Sequence, residues 1–440
     1  MSLTAAEQYG IELLNRARLN PMAESAKYNV GLNQGIRDID TQTAGVQKLS
    51  STQKQALAPN QAIDTASTKH AAWMISTDKF SHTGYGGSDA GQRMSKAGYK
   101  GVWGENIAYQ PYGRSVEETI NMQHASLMKS AYHRANLLTG YFQEVGYSQV
   151  IGGFRGSSGS MLTQNFGVQI EPKHAFITGV AYNDRNGNNF YNIGEGQGGI
   201  RFDNADGPDA VTASAGGYAV KVSQQSTVTI NLGDNREFGS VTIRVSFTNV
   251  KLDLVNKDTL FIAGNATLNG GIGGIDDIRL LGINGNSLVG DDANNHIWGN
   301  AGNNLLNGKA GADSLYGGKG NDTLLGGEGD DVLIGSDGRD KLNGGLGDDV
   351  LTGGAGADRF EFTGNMGADV IADFSKADGD VIALDDELWS DPDVVTIQDV
   401  IEVYAKIVNG IVVFDFDNGK TITLTGVTTV EGLAAYIDII

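Results

Sequence analysis

The sequence predicts a multidomain α+β protein: a mixed helix-and-strand head, a small central β-sandwich and a C-terminal parallel β-roll. Three observations carry this expectation. Residues 290–361 repeat every nine residues, eight times without a gap. Residues 1–173 contain helical apolar spacing, whereas residues 175–255 read as short alternating strands. Charge is divided in the same way: residues 1–173 hold 16 basic and 13 acidic groups, and the other 267 hold 16 basic and 39 acidic. At 440 residues, two to four domains are expected. The net charge of −20 argues against a nucleic-acid partner and for cations. No cysteine is present, so disulfides and thiolate metal sites are excluded.

In the head (residues 1–173), Glu7 to Leu19 has helical spacing at Ile11, Leu13 and Leu14 and ends at Pro21. Ala62 to Phe80 reads as a second helix with Trp73 and Ile75 turned inward. Four short stretches follow: Phe80-Ser81-His82-Thr83-Gly84, Gly104-Glu105-Asn106-Ile107-Ala108, His133-Arg134-Ala135-Asn136-Leu137-Leu138 and Leu162-Thr163-Gln164-Asn165-Phe166-Gly167. Their order and spacing resemble the bacterial branch of the CAP superfamily (cysteine-rich secretory, antigen 5 and pathogenesis-related 1 proteins), over roughly residues 5–170. The resemblance implies an α-β-α sandwich with a cleft lined by two His and two Glu. His82 matches the first histidine and Glu105 the first glutamate. His133, counted back from Gly146, matches the second histidine. The second glutamate would follow a helical tryptophan by three residues; here Leu127 and Ser130 stand at those positions, so three of four groups remain.

Two imidazoles and one carboxylate, His82, Glu105 and His133, can make an open site for Zn²⁺ or another divalent ion. They can equally hydrogen-bond one another and hold loops together. Glu144 could add a carboxylate, although no motif places it there. His70 and His124 are expected at the surface or behind the cleft. The head lacks the His-Glu-x-x-His and Gly-x-Ser-x-Gly patterns, and Ser81 beside His82 does not make a triad. These features favour a binding module for a lipid, glycan or protein. The alternatives are a peptidase-like hydrolase using His82, Glu105 and His133, and a calcium-dependent adhesin or matrix protein.

In the central sandwich (174–255), strands are expected at 176–180, 218–222, 227–230 and 241–245. One loop is distinctive. Asp184, Asn186, Asn188, Phe190, Asn192 and Glu195 occupy positions 1, 3, 5, 7, 9 and 12 of an EF-hand-like calcium loop. Asn189 takes the sixth position, where asparagine tolerates a left-handed backbone. Together with Gly179-Val180-Ala181-Tyr182-Asn183 and Gly194-Glu195, the loop resembles the B-type repeats of serine-aspartate-rich bacterial surface proteins, which bind Ca²⁺ within a β-sandwich.

Residues 256–289 are expected to be degenerate first coils that cap the roll, with Asp277 and Asn286 echoing its sixth position and Leu288 its eighth. In the roll itself (290–361), the first position is always glycine. The sixth is Asn295, Asn304, Asp313, Asp322, Asp331, Asp340, Asp349 and Asp358. The eighth is Ile297, Leu306, Leu315, Leu324, Leu333, Leu342, Leu351 and Phe360. This glycine-rich nonapeptide resembles the RTX (repeats-in-toxin) family. Each unit reads as a turn followed by a short strand, two units make one coil, and stacking aligns repeat n over n+2. Aspartate columns of this kind suit Ca²⁺, a hard cation that takes six to eight oxygens. The expected pairs are Asp313 with Asp331, Asp322 with Asp340, Asp331 with Asp349 and Asp340 with Asp358. The Asn295 and Asn304 end should bind more weakly. Residues 290–361 hold 13 acidic and 5 basic groups, a net of −8, which should keep the segment unfolded until several Ca²⁺ ions neutralise it.

Residues 362–440 are expected to close the roll and carry an export signal. Strands are read around 411–414 and 421–424. The terminus Tyr436-Ile437-Asp438-Ile439-Ile440 resembles type I secretion signals. Met1 to Glu12 shows neither a basic nor an apolar signal-peptide region, and no run of eighteen apolar residues occurs. The expectation is an extracellular protein, exported by the type I machinery, with an extracellular ligand for its head.

Overall fold

The computed structural model describes residues 3–36, 48–169, 174–205, 207–269, 275–389, 391, 393–416 and 419–440. The chain forms two compact units, residues 1–237 with 243–257 and residues 238–242 with 258–440. The boundary expected at 173 falls outside the described residues.

In the first unit, helix α1 (Ala5–Leu19) opens on a capping box in which Thr4 and Glu7 satisfy each other's backbone N–H groups. α2 (Pro21–Lys27) follows, with proline at a position where no N–H is needed. The strands β1 (Ala58–Pro59), β2 (Val102–Pro111), β3 (Glu144–Phe154) and β4 (Ser157–Val168) form one sheet in the order β1-β3-β4-β2. α3 (Gln61–Ser76) packs on β3 and β4. Gly146 lets β3 approach it, since a Cβ there would lie 2.3 Å from the Asp64 nitrogen. α4 (Ala90–Lys96), α5 (Val116–Lys129) and α6 (Ala131–Leu138) pack on β2.

One expectation for α3 is corrected. The helix ends at Ser76 rather than Phe80: the Thr77 hydroxyl bonds the Trp73 carbonyl, and Asp78 turns to φ 56°. Its buried stripe is Ile63, Ala66, Ser67, His70, Ala71 and Met74. Trp73 and Ile75 flank that stripe, half-buried, and pack as expected against the core cluster of Ala71, Met74, Ile107, Phe154 and Met161.

The sandwich follows the expected strands. β5 (His174–Tyr182) lies between β8 (Gly217–Ser223), antiparallel, and Val250–Val255, parallel. β6 (Arg201–Asn204) pairs with β7 (Ala210–Val211) and β9 (Ser226–Leu232). Phe202 and Tyr218 stack with ring centroids 3.7 Å apart in the core. The buried Lys251 ammonium ties α1 to this sandwich, at 2.6 Å from Glu12 Oε2 and 2.5 Å from Asp253 Oδ1.

The second unit is a parallel β-roll of about seven turns. One ladder stacks Asn265–Asn269, Ser287–Val289, Leu305–Ala310, Thr323–Glu328, Lys341–Leu346, Arg359–Phe362, Val381–Leu384 and Ile437–Ile439. The other stacks Thr259–Ile262, Asp277–Leu280, His296–Trp298, Ser314–Lys319, Val332–Asp337, Val350–Ala355, Ala368–Ile371 and Thr421–Leu424, then turns antiparallel through Ile411–Asp415 and Ala405–Val408. Partners within the repeats are eighteen residues apart, as Leu315 with Leu333 and Leu324 with Leu342. All eight eighth-position side chains are fully buried.

Residues 259–269 and 275–289 supply the first coils. Ile278 pairs with Ile297, so Asp277 sits opposite His296, at the seventh position. The expected sixth-position role of Asp277 therefore passes to Asp276, whose carbonyl accepts from the His296 N–H as the Asn295 carbonyl does from Ser314. The Asp277 side chain meets His296 Nδ1 at 3.0 Å. Asn286 and Leu288 keep their expected places, with Leu288 opposite Leu306. Helix α7 (Ile397–Tyr404), capped by a reciprocal Thr396–Asp399 pair, and the strand Ala405–Val408 had no counterpart in the reading. The terminus forms the strand Ile437–Ile439, paired with Val381–Leu384.

Candidate metal ladders and the head cleft

The sixth-position side chains stack into two ladders. In one, backbone N–H groups of Asn295, Asp313 and Asp331 donate to Oδ1 of Asp313, Asp331 and Asp349 at 2.7, 2.7 and 2.8 Å. In the other, Asn304, Asp322 and Asp340 donate to Oδ1 of Asp322, Asp340 and Asp358 at 2.7, 2.8 and 2.8 Å. The four pairs named from the repeat phase are thus successive rungs. Each ladder runs one rung further than the repeats. Asp349 N–H donates to Asp369 at 3.1 Å and Asp358 N–H to Asp380 at 3.0 Å. Asp369 and Asp380 were read only within the roll-closing stretches 368–374 and 379–384, not as ladder members, because spacings of twenty and twenty-two residues break the phase. Their signal was an aspartate immediately before a Val-Ile pair, as in Asp369-Val370-Ile371 and Asp380-Val381-Ile382.

One oxygen of each aspartate is spent on the backbone and the other is free. Oδ2 of Asp313, Asp322, Asp331, Asp340, Asp349 and Asp358 is buried without a partner. A buried acceptor without a partner is costly. Burial accordingly pushes these carboxyls up, to about 7 at Asp322 and Asp331 and about 6 at Asp313, Asp349 and Asp358. The first-position glycines keep the surrounding space open. A Cβ on Gly326 would fall 2.2 Å from Asp331 Oδ2 and 2.4 Å from the Gly344 carbonyl oxygen. Gly308, Gly317 and Gly335 stand in the same relation to Asp313, Asp322 and Asp340. Carboxylate and carbonyl oxygens converging on a space without a side chain fit a hard cation such as Ca²⁺. Asn295 and Asn304 differ. Their Oδ1 atoms accept from their own turns, at Asp291 N–H (2.8 Å) and Asn300 N–H (2.9 Å).

In the sandwich loop, Asn189 adopts φ 55°, as expected for its place in the turn. Asp184 accepts from the N–H groups of Asn188 (3.1 Å) and Asn189 (2.8 Å). Glu195, nearly buried, accepts from Arg185 (3.2 Å) and Asn192 (2.8 Å) and so closes the loop with both oxygens. The amides of Asn186 and Asn188 both donate to Asn192 Oδ1, at 3.0 and 2.8 Å. The Phe190 N–H donates to Asn188 Oδ1 at 2.8 Å.

The head cleft brings His82, Glu105 and His133 together. His82 Nδ1 donates to Glu105 Oε1 at 2.9 Å, and the rings of His82 and His133 lie 6.3 Å apart. Sequence reasoning missed the supporting groups. Arg93 on α4 bonds Glu105 Oε2 and holds the His82 carbonyl at 3.0 Å. Asn106 donates to the His133 carbonyl at 3.1 Å, and Asn136 returns a bond to the Glu105 carbonyl at 3.1 Å. Both asparagines stand inside the quoted motifs, so their clasp between β2 and α6 was partly legible. His70 is buried behind the cleft, 4.0 Å from Glu105 and bonded to the Ser81 carbonyl at 2.9 Å. Burial lowers His70 to about 4, and burial followed by the His82 charge lowers His133. Glu105 is therefore committed to His82 and Arg93. Among the described residues no three His, Asp or Glu side chains group as a metal-holding set. Glu144 lies elsewhere, its oxygens taken by Asn60 (2.7 Å) and Tyr99 (2.9 Å). His124 is buried against Glu24 at 3.1 Å. Burial pushes the Glu24 carboxyl up, but hydrogen bonds from His124 and Arg16 outweigh it and bring it to about 2. Ser81 Oγ accepts from the Thr83 N–H and meets no imidazole.

Comparison with known families agrees with both halves of this description. The cysteine-rich secretory protein family (CAP) matches residues 11–166. The RTX calcium-binding nonapeptide repeat (four copies) matches residues 282–315, 289–324, 301–333, 325–360 and 334–371. The chain therefore carries a CAP domain and RTX calcium-binding repeats. Among solved structures, an extracellular protein containing an SCP domain from Bacillus anthracis str. Ames is similar at 26% identity and a TM-score of 0.21. That match covers 26% of this chain and 35% of the other. Extracellular lipase LipA from Serratia marcescens is similar at 20% identity and a TM-score of 0.21, over 36% of this chain and 40% of the other. The chain thus spans well under half the length of either. No curated protein matches the chain.

Proposed function

We propose that this is an exported protein that calcium assembles outside the cell, and that its CAP cleft is displayed there as a binding module for an extracellular lipid, glycan or protein. The observation that carries the reading is the pair of aspartate ladders with six free, buried oxygens. Ca²⁺, when bound, supplies the positive charge these oxygens lack. Asp313, Asp322, Asp331, Asp340, Asp349 and Asp358 would hold it, with Asp369 and Asp380 extending the ladders and Asn295 and Asn304 forming a weaker end. The loop of Asp184, Asn186, Asn188, Phe190, Asn192 and Glu195 would hold a further ion. Binding energy then becomes folding energy, in the affinity range of extracellular modules at about 10⁻⁴–10⁻³ M.

The same dependence suits export through a type I channel. The terminal strand Ile437–Ile439 is paired into the roll, and Arg359 holds Asp438 at 2.5 Å. The segment is accessible to an exporter only before the roll forms, so low cytosolic calcium would keep the signal readable.

For the head, binding is favoured over hydrolysis because Glu105 is held by Arg93 and, among the described residues, no nucleophilic side chain hydrogen-bonds His82. Alanine at His82 and His133 tests this. Pull-down of the full protein with outer-membrane or host-surface material, with and without chelator, should show capture that needs calcium and weakens in the double variant. Turnover of a peptide substrate that the double variant abolishes would overturn the binding reading. Calcium-dependent capture indifferent to both histidines would instead favour the adhesin alternative.

A further inference from the structure

The 184–195 loop does not stand free of the head. Phe190, at the seventh loop position, lies edge-on to Tyr9 of α1 with centroids 6.0 Å apart, and the Arg16 guanidinium sits 4.9 Å over its ring. Asn192, at the ninth position, donates through Nδ2 to Glu117 Oε1 of α5 at 3.1 Å. The second contact fixes an orientation. A carboxylate only accepts, so the amide nitrogen of Asn192 must face Glu117, and Oδ1 must face the loop. That oxygen is the atom on which the Asn186 and Asn188 amides converge. The Tyr191 hydroxyl adds a separate observation. It is buried at the eighth loop position without a hydrogen-bond partner. A buried oxygen of the loop left without a partner is a group that a bound cation can relieve.

We propose that Glu117 and the Tyr9–Arg16 face of α1 belong functionally to the loop's calcium site, so that ion binding in the loop and seating of the loop on the head are one event. This rests on the reading of 184–195 as a calcium loop. Glu117 is a positioning residue: it turns the ninth-position oxygen inward. Phe190 serves both sides of the junction, since its ring is fixed by the head while its backbone carbonyl occupies a ligand position of the loop motif. The coupling is reciprocal, because whatever the ion gains from a pre-oriented loop, the junction gains from the ion.

Hydrogen exchange of the full chain, read by mass spectrometry across a calcium titration, tests this. In the unaltered protein, protection of residues 184–195 and of the first turn of α5 should rise with one midpoint. Glu117→Gln, whose amide can present either end to Asn192, should raise that midpoint roughly 10–100-fold, the usual effect of losing an orienting partner. Residues 290–361 should respond to calcium unchanged. Asn192→Asp has an oxygen at either end and needs no orienting, so the Asn192→Asp/Glu117→Gln pair should recover the midpoint. If Glu117→Gln leaves the loop midpoint where it was, the coupling is wrong. If the double variant stays as weak as Glu117→Gln, the positioning role is wrong. If the unaltered loop shows no protection by calcium at all, the loop is not a calcium site, and the earlier reading of it fails instead.

Discussion

An aspartate in the roll faces two demands that a single proton or cation reconciles. Asp331 gives Oδ1 to the Asp313 N–H at 2.7 Å and leaves Oδ2 buried without a partner. Replacing it with alanine removes the acceptor of the Asp313 N–H and the free Oδ2, while the backbone N–H of residue 331 still donates to Asp349. The calcium midpoint for roll folding, followed by circular dichroism, should rise about tenfold, because affinity tracks the number of charged ligands. Asn295→Ala, which removes a side chain whose oxygen already serves its own turn, should move it far less. Protons can stand in for the ion. The ladder carboxyls titrate near 3.8 in the unfolded chain and are raised to about 6–7 by burial. The folded, ion-free roll therefore binds more protons than the unfolded chain between those values, and its stability falls as pH rises through that window. In chelator, hydrogen exchange of residues 290–361 should be slower at pH 5 than at pH 8 after correction for intrinsic rates. Equal corrected protection at both values would contradict the raised titration of the ladders.

At the scale of elements, the glycine pattern does more than permit turns. Gly326→Ala places a methyl group where Asp331 Oδ2 and the Gly344 carbonyl converge, so calcium-driven folding of the roll should be lost although no charge changes. Gly410, in the hairpin joining Ala405–Val408 to Ile411–Asp415, has φ 80° and open space around it. Alanine there should cost only the backbone strain, about 1–3 kcal/mol in a denaturant titration with calcium present. Roll elements were the most legible in the sequence because one nine-residue period specifies strand, turn, core and ligand together. Legibility failed where the period slipped. Asp277 was displaced by one position, and Asp369 and Asp380 were lost to longer turns. In the head, the motifs carrying His82, Glu105 and His133 identified the cleft. Arg93 lies twelve residues from Glu105 on a short helix outside every motif, and only the fold brings it to the carboxylate. His70 was left open between the surface and a place behind the cleft for a related reason. One histidine in a helix does not report its face until the apolar stripe through Ile63, Ala71 and Met74 is known.

For the molecule as a whole, the uneven charge becomes a division of labour. The first unit rests on a conventional core and on buried arginines. Arg18 alone bonds the carbonyls of Gln55, Leu137, Thr139 and Phe142 at 2.8–3.0 Å, needing no metal. The roll instead buries one large apolar side chain per nonapeptide beneath a net charge of −8. The two units should therefore part company when calcium is removed. Hydrogen exchange of the intact chain, with millimolar calcium and then with excess chelator at neutral pH, measures this directly. The account predicts that residues 290–361 lose protection in chelator and regain it when calcium is restored, while α3, β3 and β4 remain protected throughout. A roll that stays protected without calcium would contradict the claim that the aspartate ladders require the ion to fold.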